Sequence, residues 1–254
     1  NRYSKSIKFT IYCWIVGIIP ALLTLKVSSD LSSALVIMAI TFGLTFIFNR
    51  TKKMHIVVLL TAVGLIAGYI LHIKSNLPDP AHIDDYSYRI ARIVAWLYPD
   101  RYSDAAYQSQ TALYSIGSGG FWGVGLGRMY VNIPEGQTDF IFVLLTHQLG
   151  IFGGICLILC YVYLLFQILK IALNACSLYE TILVIGILIH IATQVVVNMG
   201  VCTSLLPNTG LPLVLMSYGG SSILTSFAEL AICVSVSKKS VVKVSKKIAK
   251  EELG

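Results

Sequence analysis

Two carboxylates, Glu135 and Asp139, stand four residues apart in Pro134-Glu135-Gly136-Gln137-Thr138-Asp139-Phe140-Ile141-Phe142. Here a long polar stretch gives way to a strongly apolar one. An ionisable group at such a boundary is costly to keep and is a functional-site candidate by default. Partial desolvation would raise the Asp139 pKa toward values useful to a general base. The same residue and Thr138 also fall where a helix should begin, and an acid there can cap free N–H groups and complement the helix dipole. Glu135 reads as a second carboxylate, a metal ligand or a solvated loop acid.

A second polar cluster is Asn208-Thr209-Gly210-Leu211-Pro212-Leu213, followed by Ser217-Tyr218-Gly219-Gly220-Ser221-Ser222. Within an apolar segment this block interrupts ideal helix, and such backbone is tolerated only when buried in protein or lining a cavity. A cavity wall and small-residue helix packing both fit. His190, Gln194 and Asn198 recur at i, i+4 and i+8, so one helix turns this face to the bundle interior; Glu229 is the remaining polar group inside a span. Arg89 and Arg92 could meet a diphosphate through paired donors or hold an acid in their own loop.

These groups need elements to position them. Of 254 residues, 56% are hydrophobic and 12% charged, with mean hydropathy +0.77. Soluble domains carry about twice that charge fraction, so the pattern predicts an all-α, polytopic transmembrane helix bundle. Apolar runs of spanning length fall at about 8–25, 31–48, 55–73, 139–169, 178–205 and 211–236. Gly150, Gly153 and Gly154 could break or tilt the long fourth run. Basic residues cluster before the first run (Arg2, Lys5, Lys8) and between the second and third (Arg50, Lys52, Lys53). Lys170 follows the fourth and six lysines the sixth. By the positive-inside rule these connections and both ends face the cytoplasm, and the net charge of +7 reports orientation, not nucleic-acid binding. The membrane domain is 1–237, including an extracellular loop at 74–138, and 238–254 is a basic cytoplasmic tail. That tail reads either as a segment on the inner leaflet or as a solvated one.

The 74–138 loop exceeds the length of a mere connector. Tyr88, Ile90, Ile93, Val94 and Leu97 recur at helical spacing, which predicts an amphipathic interfacial helix with Trp96 and Tyr98 as belt residues. The run Gly117-Ser118-Gly119-Gly120-Phe121-Trp122-Gly123-Val124-Gly125-Leu126-Gly127 has no preceding strand and no Gly-Lys-Ser/Thr, so neither nucleotide-binding pattern applies. It reads as tight turns with close backbone approach, or as a flexible loop. Six cysteines at 13, 156, 160, 176, 202 and 233 form no disulfide framework. Cys156 and Cys160, at i, i+4, read as small lipid- or helix-facing residues before a metal site. The chain opens on Asn1 without a signal-peptide pattern, so a preceding segment or trimming is expected.

Between about Pro20 and Lys238 the sequence resembles the SEDS family, the FtsW, RodA and SpoVE group. The motifs that carry the resemblance are Arg92-Ile93 with Pro99, Tyr107-Gln108 with Gln110, and Ile116-Gly117-Ser118-Gly119-Gly120 with Gly123, Gly125 and Gly127. Pro134-Glu135, Thr138-Asp139-Phe140-Ile141-Phe142, Leu149-Gly150, Asn198 with Gly200, Pro207, and Thr209-Gly210 through Ser222 follow in order. The resemblance implies helices five to ten of a ten-helix fold. It also implies a glycosyltransferase that polymerises lipid II into peptidoglycan strands beside a class B penicillin-binding transpeptidase, in elongation, division or sporulation. Asp139 matches the family's essential loop aspartate and would deprotonate the acceptor's 4-hydroxyl. Arg92, Gln108, Glu135, Thr138, Asn198, Ser217, Tyr218 and Gly219 become candidates for substrate binding, among membrane lipid in a bacterial plasma membrane. Cations or a divalent metal would assist the leaving diphosphate.

The chain departs from the family in three places. Thr146-His147-Gln148-Leu149-Gly150 stands where Gly-Glu-Glu-Leu-Gly is usual, Val27-Ser28-Ser29-Asp30-Leu31-Ser32-Ser33 replaces Gln-Pro-Asp-Leu-Gly-Thr, and Gln137 replaces a histidine. The family's early Arg-Trp and Gln-Pro-Ser-Glu motifs are not in this sequence. A flippase for the lipid-linked precursor and a non-catalytic scaffold for the transpeptidase are the other readings. Of the groups a flippase would need deep in its helices, only Glu229 and His190 are candidates.

Overall fold

The computed structural model describes residues 7–27, 31–48, 52–128, 133 and 135–252, with side chains described as far as Val241. Arg2, Lys5, the 28–30 stretch with Asp30, Arg50 and Pro134 lie outside the described residues. Eight α-helices are found among them: α1 (Ile7–Val27), α2 (Leu31–Phe48), α3 (Lys52–Ser75), α4 (Tyr88–Leu97), α5 (Ser103–Gly119), α6 (Ile141–Leu173), α7 (Leu178–Cys202) and α8 (Gly220–Glu252). No strand occurs among the described residues. Six helices (α1, α2, α3, α6, α7 and α8) are long and apolar enough to cross a membrane. In lipid a spanning segment must satisfy its own backbone, so apolar runs of this length settle as helices.

α1 and α2 form a hairpin, α2 lies on α7, and α6 packs on both α5 and α7. The core sits where α6 and α7 meet the 211–214 segment, with Phe140, Val143, Val184, Ile191, Leu213 and Val214 almost fully buried. Around it the large apolar side chains of α1, α3, α6 and α8 are exposed, as a lipid-facing surface requires. α3 stands off the bundle and is fixed near its start by His55. That ring lies between Trp14, Phe42 and Phe46, at 6.2, 5.8 and 5.9 Å. α7 opens with a capping box, in which Glu180 N–H donates to Ser177 Oγ at 3.3 Å and Ser177 N–H to Glu180 Oε2 at 3.1 Å.

The 74–138 segment is less loop-like than its polarity implies. The amphipathic helix expected around Tyr88–Leu97 is α4, but α5 follows it, and the alternation of small and polar residues in Ser103–Gly119 had hidden that helix. A small second core of Ile73, Val94, Ala95, Tyr102 and Ala106 joins them. Tyr102 Oη donates to Pro78 O at 2.7 Å, and Trp96 Nε1 donates to Ser204 O at 2.9 Å.

The sixth span also differs from expectation. It starts at Gly220, not 211, because residues 211–219 run as non-helical backbone. α6 breaks where the glycines suggested, with Gly150 at φ 73°. The glycine run, read as tight turns with close backbone approach or as a flexible loop, is the first of these and patches that break. Val124 and Gly125 N–H donate to His147 and Gln148 O, both at 3.1 Å, and Ile151 and Phe152 N–H donate to Gly120 and Phe121 O at 3.0 and 3.3 Å. A Cβ on Gly123 would stand 2.1 Å from Gln148 O, which is why only glycine fits. His147, one of the departures noted above, is buried and bridges to α5, its Nδ1 lying 2.9 Å from Ser115 O and 3.2 Å from Ser118 Oγ.

Candidate active site at the Asp139 turn

Residues 135–140 make a tight turn into α6. Glu135, in the left-handed region at φ 55°, offers its carbonyl to three N–H groups, those of Thr138, Asp139 and Phe140, at 3.2, 3.1 and 3.4 Å. Its side chain is exposed, and Oε2 accepts from Thr138 Oγ1 at 3.0 Å. Phe140, 1% exposed, anchors the turn in the core. Three successive carbonyls are then gripped from outside. Tyr218 N–H donates to Gln137 O at 2.9 Å, Ser217 Oγ to Thr138 O at 2.5 Å, and Asn198 Nδ2 to Asp139 O at 2.8 Å.

Asp139 does not cap α6. Phe140 holds the cap position and no side chain accepts from the first turn's amides, so the capping role allowed by the sequence is not the one realised. The carboxyl is half-buried, and burial is the main cause that pushes its pKa above the ordinary aspartate value. The charge of nearby Glu135 adds to the rise, and the guanidinium of Arg92 opposes it.

Arg92 is presented by α4 and lies over the Tyr88 ring, 4.1 Å from its centroid. It donates to Tyr88 Oη and, through Nη1, to Asn208 O at 3.0 Å. Asn208 Nδ2 donates in turn to Gln108 Oε1 on α5 at 3.1 Å, and Asn208 Oδ1 accepts from Gly210 N–H at 3.2 Å. A Cβ on Gly210 would lie 3.4 Å from Asp139 Oδ2 and 3.8 Å from Arg92 Nη1, so this glycine leaves open the space between acid and cation. No ion pair involves Asp139 among the described residues. A cavity of about 360 Å³ adjoins, walled by Tyr88, Arg89, Arg92, Asn208, Thr209 and Gly210.

The fold thus brings Asp139 toward Arg92 across the space at Gly210, links Gln108 to Arg92 through Asn208, and sets Glu135 and Thr138 in the same turn as Asp139. Asn198 and Ser217, 1% and 2% exposed, lie beneath it with their polar atoms spent on backbone. Asn198 also donates to Leu211 O at 2.7 Å, and Ser217 Oγ accepts from Leu213 N–H at 2.7 Å. Tyr218 is 77% exposed beside the turn and Gly219 half-buried next to it. Arg89 lines the cavity and donates to Leu25 O at 3.2 Å. Asn208, tying α4 to α5, and Tyr88, stacked under Arg92, were not among the expected binding residues; the Asn208-Thr209-Gly210 turn was the signal for the first. An acid of raised pKa beside a cation and an open pocket can take a proton while an anion is held nearby.

Comparison with known proteins gives this arrangement its relatives. The family profile described as cell cycle protein, for FtsW, RodA and SpoVE, matches residues 1–241. The chain belongs to the FtsW/RodA/SpoVE family. The FtsW/RodA/SpoVE chain is 40% identical over 157 residues to stage V sporulation protein E of Bacillus subtilis, covering 60% of this chain and 43% of that protein. It is 35% identical over 229 residues to a probable peptidoglycan glycosyltransferase FtsW of Thioalkalivibrio sulfidiphilus, covering 87% and 54%. Among solved structures it superposes with TM-score 0.72 at 26% identity on one concerned with coordination of polymerization and crosslinking by a peptidoglycan synthase complex. That match covers 92% of this chain and 63% of the other. The chain spans about half the length of the curated relatives it matches. With six helices of spanning character, this member of the family is a multi-pass membrane protein of all-helical fold.

Proposed function

We propose that the chain carries the catalytic half of a peptidoglycan glycosyltransferase, which polymerises lipid II into glycan strands at the outer face of a bacterial plasma membrane. The observation that carries this reading is the Asp139 turn: a desolvated carboxyl, fixed by bonds to the 137, 138 and 139 carbonyls, beside Arg92 and an open cavity. Asp139 takes the proton of the acceptor sugar's 4-hydroxyl as that oxygen attacks the anomeric carbon of the donor. The carbon–oxygen bond to undecaprenyl diphosphate breaks on the opposite side, and the configuration inverts. Arg92 meets the diphosphate, with a fork suited to phosphate oxygens.

A divalent cation there would draw on Glu135 or Asp139, with water and phosphate oxygens completing its shell. No group of three or more His, Cys, Asp or Glu side chains able to hold a metal occurs among the described residues. Both ends of the chain lie on the cytoplasmic side in this reading, with the lysine-rich end of α8 at the inner leaflet. The partner is a class B penicillin-binding transpeptidase, a pairing in keeping with the synthase complex that the fold matches.

The test is polymerisation of purified lipid II by the chain co-expressed with a cognate transpeptidase. Losing a positioned general base costs about 10²–10⁴-fold in rate, so Asp139→Ala should reduce strand formation by that factor with partner binding intact. Partner binding by both proteins without strands from either would leave a scaffold in place of an enzyme.

A further inference from the structure

α8 meets the bundle along a narrow interface, and two polar rungs hold it to α7. Near the start of α7, Glu180 Oε1 meets Lys239 Nζ at 2.5 Å. Ten residues further along α7 and ten back along α8, His190 Nδ1 meets Glu229 Oε1 at 2.5 Å. Gln194 Nε2 lies 2.9 Å from His190 Nε2, so both ring nitrogens are engaged. Equal steps on antiparallel helices select one register, because a slip of one turn, about 5.4 Å, breaks both rungs.

A hydrogen-bonded polar pair inside a span carries a desolvation cost that apolar packing would avoid, and neither His190 nor Glu229 touches the Asp139 site. Packing does not fix Glu229 either. A cavity of about 540 Å³, walled by Ile40, Leu44, Ile187 and Leu211, opens beside the pair. Leu230, Cys233 and Val236 pack α8 on the core, and the hydrogen bond fixes the register in which they do so.

What α8 places is the Asp139 turn. Ser217 and Tyr218, immediately before α8, hold the carbonyls of Thr138 and Gln137, whereas Asn198 on α7 holds that of Asp139. The three bonds coexist only at one separation of the two helix ends. We infer that the His190–Glu229 pair is a positioning element, which sets α8 on α7 so that the turn presents Asp139 in its working place. Its catalytic consequence rests on Asp139 being the base; its geometric half does not.

Gln137→Cys with Tyr218→Cys in the full chain, in membranes, would report the geometry through the rate of disulfide formation between the two positions, identified by peptide mass. Glu229→Leu is expected to slow that rate about tenfold, as loss of one partner from a partly buried hydrogen bond implies. The reciprocal exchange, His190→Glu with Glu229→His, is expected to restore it to within about twofold. An unchanged rate in Glu229→Leu overturns the inference, as does an exchange variant that reaches wild-type abundance without restoring the rate. Should Glu229→Leu not accumulate, Glu229→Gln keeps the shape and weakens the pair, with slowing of about threefold expected; an unchanged rate there overturns the inference equally. In the native-cysteine chain Glu229→Leu should lower kcat for strand formation without raising KM, the signature of a displaced catalytic group. A slowed disulfide in a chain whose wild type makes no strands supports the positioning role and removes Asp139's role as base.

Discussion

Two departures from helix flank the first turns of α6, and they are held by different means. At Gly150 the break is closed mainly by backbone, four N–H···O bonds running between 120–125 and 147–152, with Gly127 N–H also donating to Gln148 Oε1 at 3.4 Å. At 135–140 the turn is held largely from outside, by Ser217 and Asn198 side chains and one amide. Backbone pairing fixes shape without placing a carboxyl, so the first site carries glycines and no acid. Side-chain clamps can place a neighbouring carboxyl to within tenths of an ångström, and catalysis depends on placement at that scale. The acid stands on the second.

The comparison breaks most completely at Gly123. An alanine there puts Cβ 2.1 Å from Gln148 O in a residue with φ +80°, combining steric overlap of backbone with a left-handed conformation. Both penalties together come to about 3–5 kcal/mol. Gly123→Ala should fail to accumulate in membranes, or melt on the order of 10 °C below wild type. A wild-type melting temperature would show that the glycine run can leave α6 without consequence.

The side-chain clamp should break differently. Asn198→Ala leaves Leu211 O without its donor and Asp139 O with only the weak Cys202 thiol at 3.6 Å, a cost of about 1–3 kcal/mol. Displacement of the carboxyl should lower the rate of strand formation about 10–100-fold, mainly in kcat. A loss of stability with kcat unchanged would make Asn198 a packing residue only.

Next in size is the pH dependence. As the proposed base, Asp139 must be ionised, and burial raises its pKa, so the acidic limb of kcat/KM should lie above the ordinary aspartate value. A carboxyl raised by folding favours the protonated state; its contribution to stability is full at low pH and lost as pH rises through the folded pKa. Acidification should therefore silence strand formation without unfolding the chain through this group. Arg92 is the cause that lowers the pKa, so Arg92→Gln should move the limb to higher pH. A limb that stays in place would separate Arg92 electrostatically from the acid.

Much of this was legible in the sequence because lipid leaves few options. Apolar runs near 20 residues must be helices, and five of the six spans begin within about three residues of where hydropathy placed them. The break at Gly150 and the helix at Tyr88–Leu97 were readable from glycine and from amphipathic spacing. α5 was not, since Ser103-Asp104-Ala105-Ala106-Tyr107-Gln108 has neither a strong apolar stripe nor a capping signature. The start of α8 was misplaced because Leu211-Pro212-Leu213-Val214-Leu215-Met216 is as apolar as any helix. Its amides instead serve the turn, as when Leu213 N–H donates to Ser217 Oγ. At the site, Asp139 stood out as an acid at a boundary. Asn198 stood out only as a polar residue on one face, because which carbonyl it holds is a tertiary fact.

The smallest effect sharpens the comparison most finely, since it concerns two glycines two residues apart on α5. A Cβ on Gly117 meets nothing within 4 Å, whereas one on Gly119 would stand 2.8 Å from Thr146 O and 2.9 Å from His147 O. In a helix, glycine costs about 0.5–1 kcal/mol relative to alanine. Gly117→Ala should therefore raise the melting temperature by a degree or two, roughly what that saving implies for a chain of this size, and leave strand formation unchanged. Gly119→Ala gains the same propensity but presses on the carbonyls that the glycine run must reach, and should lower it. If both substitutions stabilise, α5 does not sit closely on α6, and the backbone patch at Gly150 is looser than its hydrogen bonds imply.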